Sequence, residues 1–588
     1  MLAAQAIPGG ADQEIAAGPA RLGWHGCGTA HAASAGSMTA VVDGAFLSRA
    51  GNPAERLLQL VRERGFERAL QDLRGDFAVA LYDVGEGVLW LARDRLGVKP
   101  LYYANGAEGF TFASRPGALL GLLGVGRVAD RRFVALFAGS HYRTFDNDPQ
   151  ASPYRDIRQL PAAHLLRVKD GRAELRRYWT LADEGDLPAD EGALAESYRE
   201  LLSRAVSERL AVAPSPAFTL SGGMDSSSVL ALAVNALGAR QHAYSSTYAD
   251  PTFDETAEIR SMLDANVEQW HPVAIGTPDV MGLVERMVRA NDEPVATATW
   301  LSHFLICERA AQDGFGALFG GLGGDELNAG EYEYFFFHFA DLRAAGREEM
   351  LAGEIDAWAR HHDHPIYRKH RAAAERGLAR LVDPSRRGRC LPDRARLERY
   401  LAALAPGFFD LRRYEPVMDH PFESYLKNRT WQDLFRETAP CCLRAGDRQC
   451  AAFGLEHFDP FLDERLLALM FRVPGGLKIR DGVTKILLRK AMQGILPEET
   501  RTRVKKTGWN APAHVWFTGR NGNALRDLVA SRAFRERGIY DVTEVDRLVR
   551  EHEQIVASGE ARENHMMFLW QLVNLELWLR NFHLEVSA

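Results

Sequence analysis

The chain is short of cysteine, of net charge and of long apolar runs, and each shortage removes a class of protein. Its 588 residues include six cysteines, Cys27, Cys307, Cys390, Cys441, Cys442 and Cys450, with no paired C-x-x-C spacing. Neither a disulfide framework nor a structural zinc site is expected, and a reducing cytoplasm fits best. Net charge is −7, which argues against a chain that binds nucleic acid along its length. Two local basic stretches remain, Arg386-Arg387-Gly388-Arg389 and Arg503-Val504-Lys505-Lys506, the first of them expected to be a solvated charge run. No run of about 18 apolar residues is present, so no membrane-crossing helix is expected. Residues 1–10 carry no basic region and too short an apolar run for a signal peptide.

What is present is Ser221-Gly222-Gly223-Met224-Asp225-Ser226-Ser227, between the apolar runs Ala217–Leu220 and Val229–Val234. This reads as a strand, a glycine turn and a helix start with hydroxyls crowded into the turn. Such a turn suits phosphate: glycines allow close backbone approach, and the amides of a helix N-terminus point at the anion. Asp225 would repel phosphate without an intervening cation, which implies Mg²⁺. The spacing and lysine of the common P-loop are absent. The segment resembles the pyrophosphate loop of the N-type ATP pyrophosphatases, S-G-G-x-D-S.

Residues 1–36 are rich in Ala and Gly and are expected to be poorly structured. From Met38 the pattern is strand-like, with strands at Thr39–Val42, Phe77–Asp83, Val88–Ala92 and Leu101–Ala104 and helical periodicity over Pro53–Leu73. Glycine turns at this spacing predict layered antiparallel sheets over residues 37–180. Residues 181–192 are acidic and read as a linker. Residues 193–588 form a second domain, in which strands and helices alternate after the glycine turn. That order predicts an α/β doubly wound parallel sheet, which binds ligands at the carboxyl ends of its strands. Beyond about residue 330 the chain reads as helical. Its aromatic stripe, Tyr332 to Phe339, is expected to be core rather than a substrate wall.

Several segments together resemble the asparagine synthetases. They are Leu73–Asp83, Ala92–Tyr102, the loop 221–227, Asp292-Glu293-Pro294, Gly321–Leu327, Gly446-Asp447-Arg448, Pro460–Asp463, Lys485–Ala491 and Leu496-Pro497, in the family's order. The resemblance implies an N-terminal αββα domain like those of the Ntn hydrolases, and a C-terminal ATP-pyrophosphatase domain with helical additions. It implies an ATP-dependent ligase that adenylates a carboxylate, releases pyrophosphate and transfers the acyl group to an amine. Leu220, Ser221, Gly222, Gly223, Asp225, Ser226, Ser227 and Gly323 would then bind ATP and pyrophosphate. Asp225 and Asp325 would ligate Mg²⁺, and Lys485 would stabilise the second transition state, a solvated helix lysine being the alternative.

The chain departs from that family at four places. Residue 2 is Leu2, where the glutaminase has its nucleophilic cysteine, and Cys27 would be N-terminal only after a cleavage. Asp43-Gly44 stands where the family has Asn-Gly, exchanging an oxyanion-hole amide for a carboxylate. Arg74 stands where an acidic residue meets the glutamine ammonium. Leu322 stands where asparagine synthetases carry Glu and β-lactam synthetases carry Tyr, so another group must take the amine's proton; Glu326, Glu331 and Glu333 are candidates by position. No glutamine hydrolysis is expected. The pattern is similar to that of the lasso peptide cyclases, which implies a carboxylate substrate on a peptide precursor, with a leader-binding protein and a protease as pathway partners. The alternatives are a β-lactam synthetase-like cyclase, an ammonia-dependent asparagine synthetase and a nucleotide-binding pseudoenzyme. A homo-oligomer is left open, and neither nucleic acid nor membrane is an expected partner.

Overall fold

The computed structural model describes residues 12–18, 20–25, 31–47, 51–106, 109–122, 124–141, 147–276, 279–361, 369–504, 511–559 and 562–586. Leu2, Cys27, Lys505 and Lys506 lie outside them. Asp12–Ala17 (β1) and Ala20–His25 (β2) form an antiparallel hairpin, and His31–Ala35 (β3) pairs antiparallel with Met38–Phe46 (β4). The expectation that residues 1–36 are poorly structured is corrected for these strands. β3 is an edge strand, ordered by its backbone ladder with β4 rather than by an apolar pattern of its own.

The helical periodicity after β4 resolves into Pro53–Arg64 (α1) and Phe66–Asp72 (α2), divided at Gly65, whose φ of +80° ends the first helix. Then follow Gly75–Asp83 (β5), Val88–Arg93 (β6), Tyr102–Gly106 (β7), Gly109–Ala113 (β8), Arg131–Gly139 (α3), Arg158–Gln159 (β9), His164–Lys169 (β10) and Arg172–Arg177 (β11). One antiparallel sheet runs β11-β10-β6-β5-β4-β3 and a second runs β9-β7-β8. Side-chain alternation assigns each face a neighbour. Phe77, Val79 and Leu81 of β5 pack with Leu57, Leu58 and Leu70 of α1 and α2, while Ala78 and Ala80 meet Leu101 and Tyr103 at the second sheet. Tyr102 and Ala104 pack on the other side with Phe133 and Phe137 of α3. The layers are α, β, β, α, as the sequence implied.

Residues 181–190 carry no helix or strand, and Asp190 caps Glu191–Leu210 (α4) by accepting from the Ala193 amide at 3.0 Å. The second domain then lays down Pro216–Thr219 (β12), Met224–Leu237 (α5), Gln241–Thr247 (β13), Thr256–Asn266 (α6), Val267–Ala274 (β14), Val280–Asn291 (α7), Thr299–Gln312 (α8), Ala317–Phe319 (β15) and Gly324–Asn328 (α9). After these come Tyr334–Ala344 (α10), Tyr425–Phe435 (α11), Thr438–Ala451 (α12), Glu456–Phe458 (β16), Ile486–Ala491 (α13) and Met566–Asn581 (α14). The sheet is parallel in the order β14-β13-β12-β15-β16. Strand order reverses between β12 and β15, successive strands being added on one side of β12 and then on the other, and ligands of such sheets bind at that switch point. α14 buries Trp570, Leu572, Leu575 and Trp578 completely, each apolar side chain contributing about 1.5–3 kcal/mol. No described helix is long and apolar enough to cross a membrane.

Candidate active site

The carboxyl end of β12 runs directly into the glycine turn and α5. Gly223 is the N-cap of α5 and supplies no side chain to the first-turn amides, which leaves them for an anion. The turn is braced from behind. Ser226 Oγ accepts from the Ser221 amide at 3.1 Å and lies 3.0 Å from Ser221 Oγ, and Ser221 Oγ accepts from the Gly223 amide at 3.2 Å. The Gly222 amide donates to Glu255 at 3.0 Å, and Arg503 donates to the Gly222 carbonyl at 3.0 Å. Ser227 is the exception among the residues expected to hold pyrophosphate. It is fully buried, it does not line the cavity, and its hydroxyl donates to the Gly223 carbonyl at 2.8 Å, so its part is to hold the turn.

In front of the turn lies a cavity of about 670 Å³. Leu220, Ser221, Gly222, Gly223, Asp225, Ser226, Gly323, Asp325 and Lys485 all line it. Lys485 Nζ bonds both Asp225 Oδ2 and Asp325 Oδ1, the second at 2.7 Å. Lys485 caps α13 in the left-handed region, φ +62°, a costly conformation for a residue with a side chain. It turns inward and is buried, not a solvated helix lysine. Glycines make the convergence possible. A Cβ on Gly324 would lie 2.4 Å from Asp225 Cγ, and one on Gly330 would lie 2.0 Å from Asp325 Oδ1 and 2.4 Å from Lys485 Cε. Two carboxylates that reach one ammonium are close enough to share a hard cation, which fits Mg²⁺ held by one or two carboxylates together with substrate phosphates.

Arg489 and Arg503 also line the cavity and were not singled out as site residues from the sequence. Arg503 belongs to a basic stretch that could have been a surface patch, yet it donates to the Gly222 and Glu258 carbonyls. Burial, with Arg501 nearby, lowers Arg489 to about 10, a value at which it is still a cation at neutral pH. The other basic stretch is superficial, with Arg387 facing Glu423 and Arg389 facing Asp383. The aromatic stripe is mostly core, with Tyr334, Phe335, Phe337 and Phe339 buried together, while Phe335 and Tyr332 also line the cavity. Of the three glutamates near Leu322, Glu333 is held by Arg396 and Arg429 and does not line the cavity. Glu326 and Glu331 do. Burial, then Asp325 and Asp433, push the Glu326 carboxyl up to about 8.

Asp43 and Arg74 are not brought together. Asp43 accepts from Ser114 at 2.7 Å and lies 3.8 Å from Lys99 Nζ, which is itself held by Asp447 at 2.9 Å and Glu456 at 3.1 Å. Burial pushes the Asp43 carboxyl up against the opposing pull of Lys99. Arg74 instead pairs with Glu208 of α4 at 3.3 Å. Each ends in a separate ion cluster that spans the two domains. Other matched segments outside the cavity serve the same junction. Asp292 pairs with Arg115, Arg448 donates to the Tyr102 hydroxyl, and Arg209 bridges Asp76 and Asp463.

Comparison with known proteins decides the family. The asparagine synthase family model matches residues 197–580, and that of the glutamine amidotransferase domain matches residues 43–179. The chain belongs to the asparagine synthase family. It is therefore an ATP-dependent carbon–nitrogen ligase of the kind that forms AMP and pyrophosphate. It is 27% identical over 504 residues to asparagine synthetase [glutamine-hydrolyzing] 3 of Bacillus subtilis, covering 82% of this chain and 75% of that one. It is 26% identical over 543 residues to an asparagine synthetase [glutamine-hydrolyzing], so described provisionally, of Mycobacterium bovis, covering 87% and 77%. Asparagine synthetase [glutamine-hydrolyzing] 1 of B. subtilis is 24% identical over 475 residues, covering 79% and 72%.

Proposed function

We propose that this family member adenylates a carboxylate and passes the acyl group to an amine that does not come from glutamine, closing a macrolactam on a peptide. The observation that carries the reading is the fate of Asp43. The residue in the oxyanion-hole position is a half-buried carboxylate held by Ser114 and facing Lys99, where a developing oxyanion would be repelled. Its relatives' names describe glutamine hydrolysis and asparagine formation; the charge at Asp43 argues against the first.

The first half-reaction falls to the turn and its cations. The α5 amides with Ser221 and Ser226 would receive pyrophosphate, and Arg489 and Arg503 supply positive charge beside it. Asp225 and Asp325 would hold Mg²⁺, which when bound neutralises phosphate charge as it develops. In the second half-reaction Lys485 would steady charge at the acyl carbon as the amine adds. Leu322 cannot take the amine's proton; Glu331 and Glu326 are on the cavity wall nearby, Glu326 as an acceptor only in its ionised form, above about pH 8. A cavity of about 670 Å³ is of the size that holds small ligands, so only the reacting end of a peptide would enter it.

The test is pyrophosphate release and product mass with Mg²⁺-ATP and one of three substrate sets: a linear precursor peptide, aspartate with ammonia, or aspartate with glutamine. The reading expects release with the peptide and a product lighter by one water. Asparagine from ammonia alone would keep the adenylating site and replace the substrate. Glutamate released from glutamine would overturn the reading of Asp43.

A further inference from the structure

We infer that the chain holds a second metal site, in which His303, Cys307 and Cys450 bind a thiolate-seeking divalent cation, Zn²⁺, at the wall of the cavity. The sequence gives no zinc spacing because the ligands come from distant places. His303 and Cys307 lie one helical turn apart on one face of α8, and Cys450 lies near the end of α12. All three side chains are buried, and their ligand atoms lie within 4.8 Å of one another.

Both separations measured from Cys307 Sγ are close to those of a tetrahedral ion, and the third pair, His303 and Cys450, lies within 4.8 Å. With Zn–S near 2.3 Å and Zn–N near 2.0–2.1 Å, the edges of a tetrahedron are about 3.8 Å for sulfur–sulfur and about 3.6 Å for sulfur–nitrogen. Cys307 Sγ lies 3.6 Å from Cys450 Sγ and 3.9 Å from His303 Nε2. The tautomer is set as in metal sites generally. Gln449 Oε1, 2.8 Å from His303 Nδ1, accepts a hydrogen bond from an Nδ1–H, which leaves Nε2, 3.9 Å from Cys307 Sγ, as the ligand, while Nδ1 lies 3.5 Å from the same sulfur. Beside the cluster, His457 packs edge-on to His303 with ring centroids 5.9 Å apart. His457 is buried, and its Nδ1 has no hydrogen-bond partner.

Three protein ligands leave one tetrahedral position, for water or for His457. The ion would tie α8 to α12, the helices that carry Trp300, His303, Thr438 and Cys441 onto the cavity wall. Cys307 and Cys450 lie behind the cavity wall, whereas His303 and His457 line it, so the site adjoins the cavity without sharing a ligand with Asp225, Asp325 or Lys485. A disulfide is the rival. It needs the sulfurs to close from 3.6 Å to about 2.05 Å, and it gives the His303–Gln449 pair no part.

The test uses the full chain, purified under reducing conditions and passed through a chelating step, and does not depend on which reaction it catalyses. Elemental analysis should find about one zinc per chain, and replacement by Co²⁺ should give a thiolate-to-metal charge-transfer band. Cobalt on Asp225 and Asp325 would give no such band, because carboxylates are its only protein ligands there. Cys307→Ser and Cys450→Ser should each lose the band, and Cys390→Ser, outside the cluster, should keep it. Absence of the band from cobalt-loaded wild-type protein overturns the site whether or not the variants fold. So does a band that survives the double serine variant, or a Cys307–Cys450 disulfide found by mass spectrometry in the reduced preparation.

Discussion

Two regions of this chain concentrate charge, and they differ in what the charges face. At the carboxyl end of β12, Asp225, Asp325, Lys485 and Arg489 all open onto a cavity. In the N-terminal domain, where the family has its glutamine site, Asp43 and Lys99 face each other and the second domain's Asp447 and Glu456. In the first region opposite charges are held for a ligand; in the second they are spent on docking one domain against the other. The segments of the N-terminal domain that match the family thus make contacts across the junction with the second domain.

The largest effect expected from breaking this contrast is on stability at the junction. Lys99→Met leaves buried Glu456 and partly buried Asp447 and Asp43 without their shared cation, and removal of one partner of a buried ion pair costs about 3–5 kcal/mol. Urea unfolding at neutral pH measures it. Burial lowers the Lys99 pKa, but Asp447, Glu456 and Asp43 outweigh burial and hold it well above the ordinary lysine value. The stabilisation is thus fully present below about pH 10.4, the unfolded lysine value, and is lost as pH rises through the higher folded value. The gap between wild type and variant should close at high pH. Pyrophosphate release by the variant, assayed below its unfolding midpoint, should stay within a few-fold.

At the cavity the order reverses, with activity falling and stability changing little. Asp325→Asn removes one of the two carboxylates offered to Mg²⁺ and should lower pyrophosphate release by at least about 10²-fold, equivalent to about 3 kcal/mol. Lys485→Ala should separate the half-reactions: ATP binding retained, amide product lost. Equal loss of ATP binding in both variants would assign Lys485 to the first step instead.

Much of this was legible in the sequence because it is local. The strand, glycine turn and helix at 217–237 are contiguous, and the layered sheets follow from period-two alternation. What was hidden depends on distant partners. Nothing near Gly330 says that a side chain there would strike Asp325 and Lys485, and nothing near Arg503 says that it reaches Gly222. Ser227 looked like its neighbour Ser226, but the helix turns it inward. Cys307 and Cys450 stand 143 residues apart, so their spacing carried no signal. The apolar pattern of β3 is only Ala33 and Ala35, small side chains that pack beside the core and give a weak signal in the sequence.

The smallest effect sharpens the contrast most. Asp43→Asn restores the family's amide at the one position where the N-terminal site lost it to a charge. Lys99 keeps its nearer partners, at 2.9 Å and 3.1 Å, and an amide oxygen can still accept from Ser114, so the stability change should stay within about 1 kcal/mol. Glutamate formation from glutamine should nonetheless remain at background, because Lys99, Asp447 and Glu456 still fill the junction beside it. Measurable glutamate from this single variant would mean that one charge alone silenced the site, and that the junction had not been converted to docking after all.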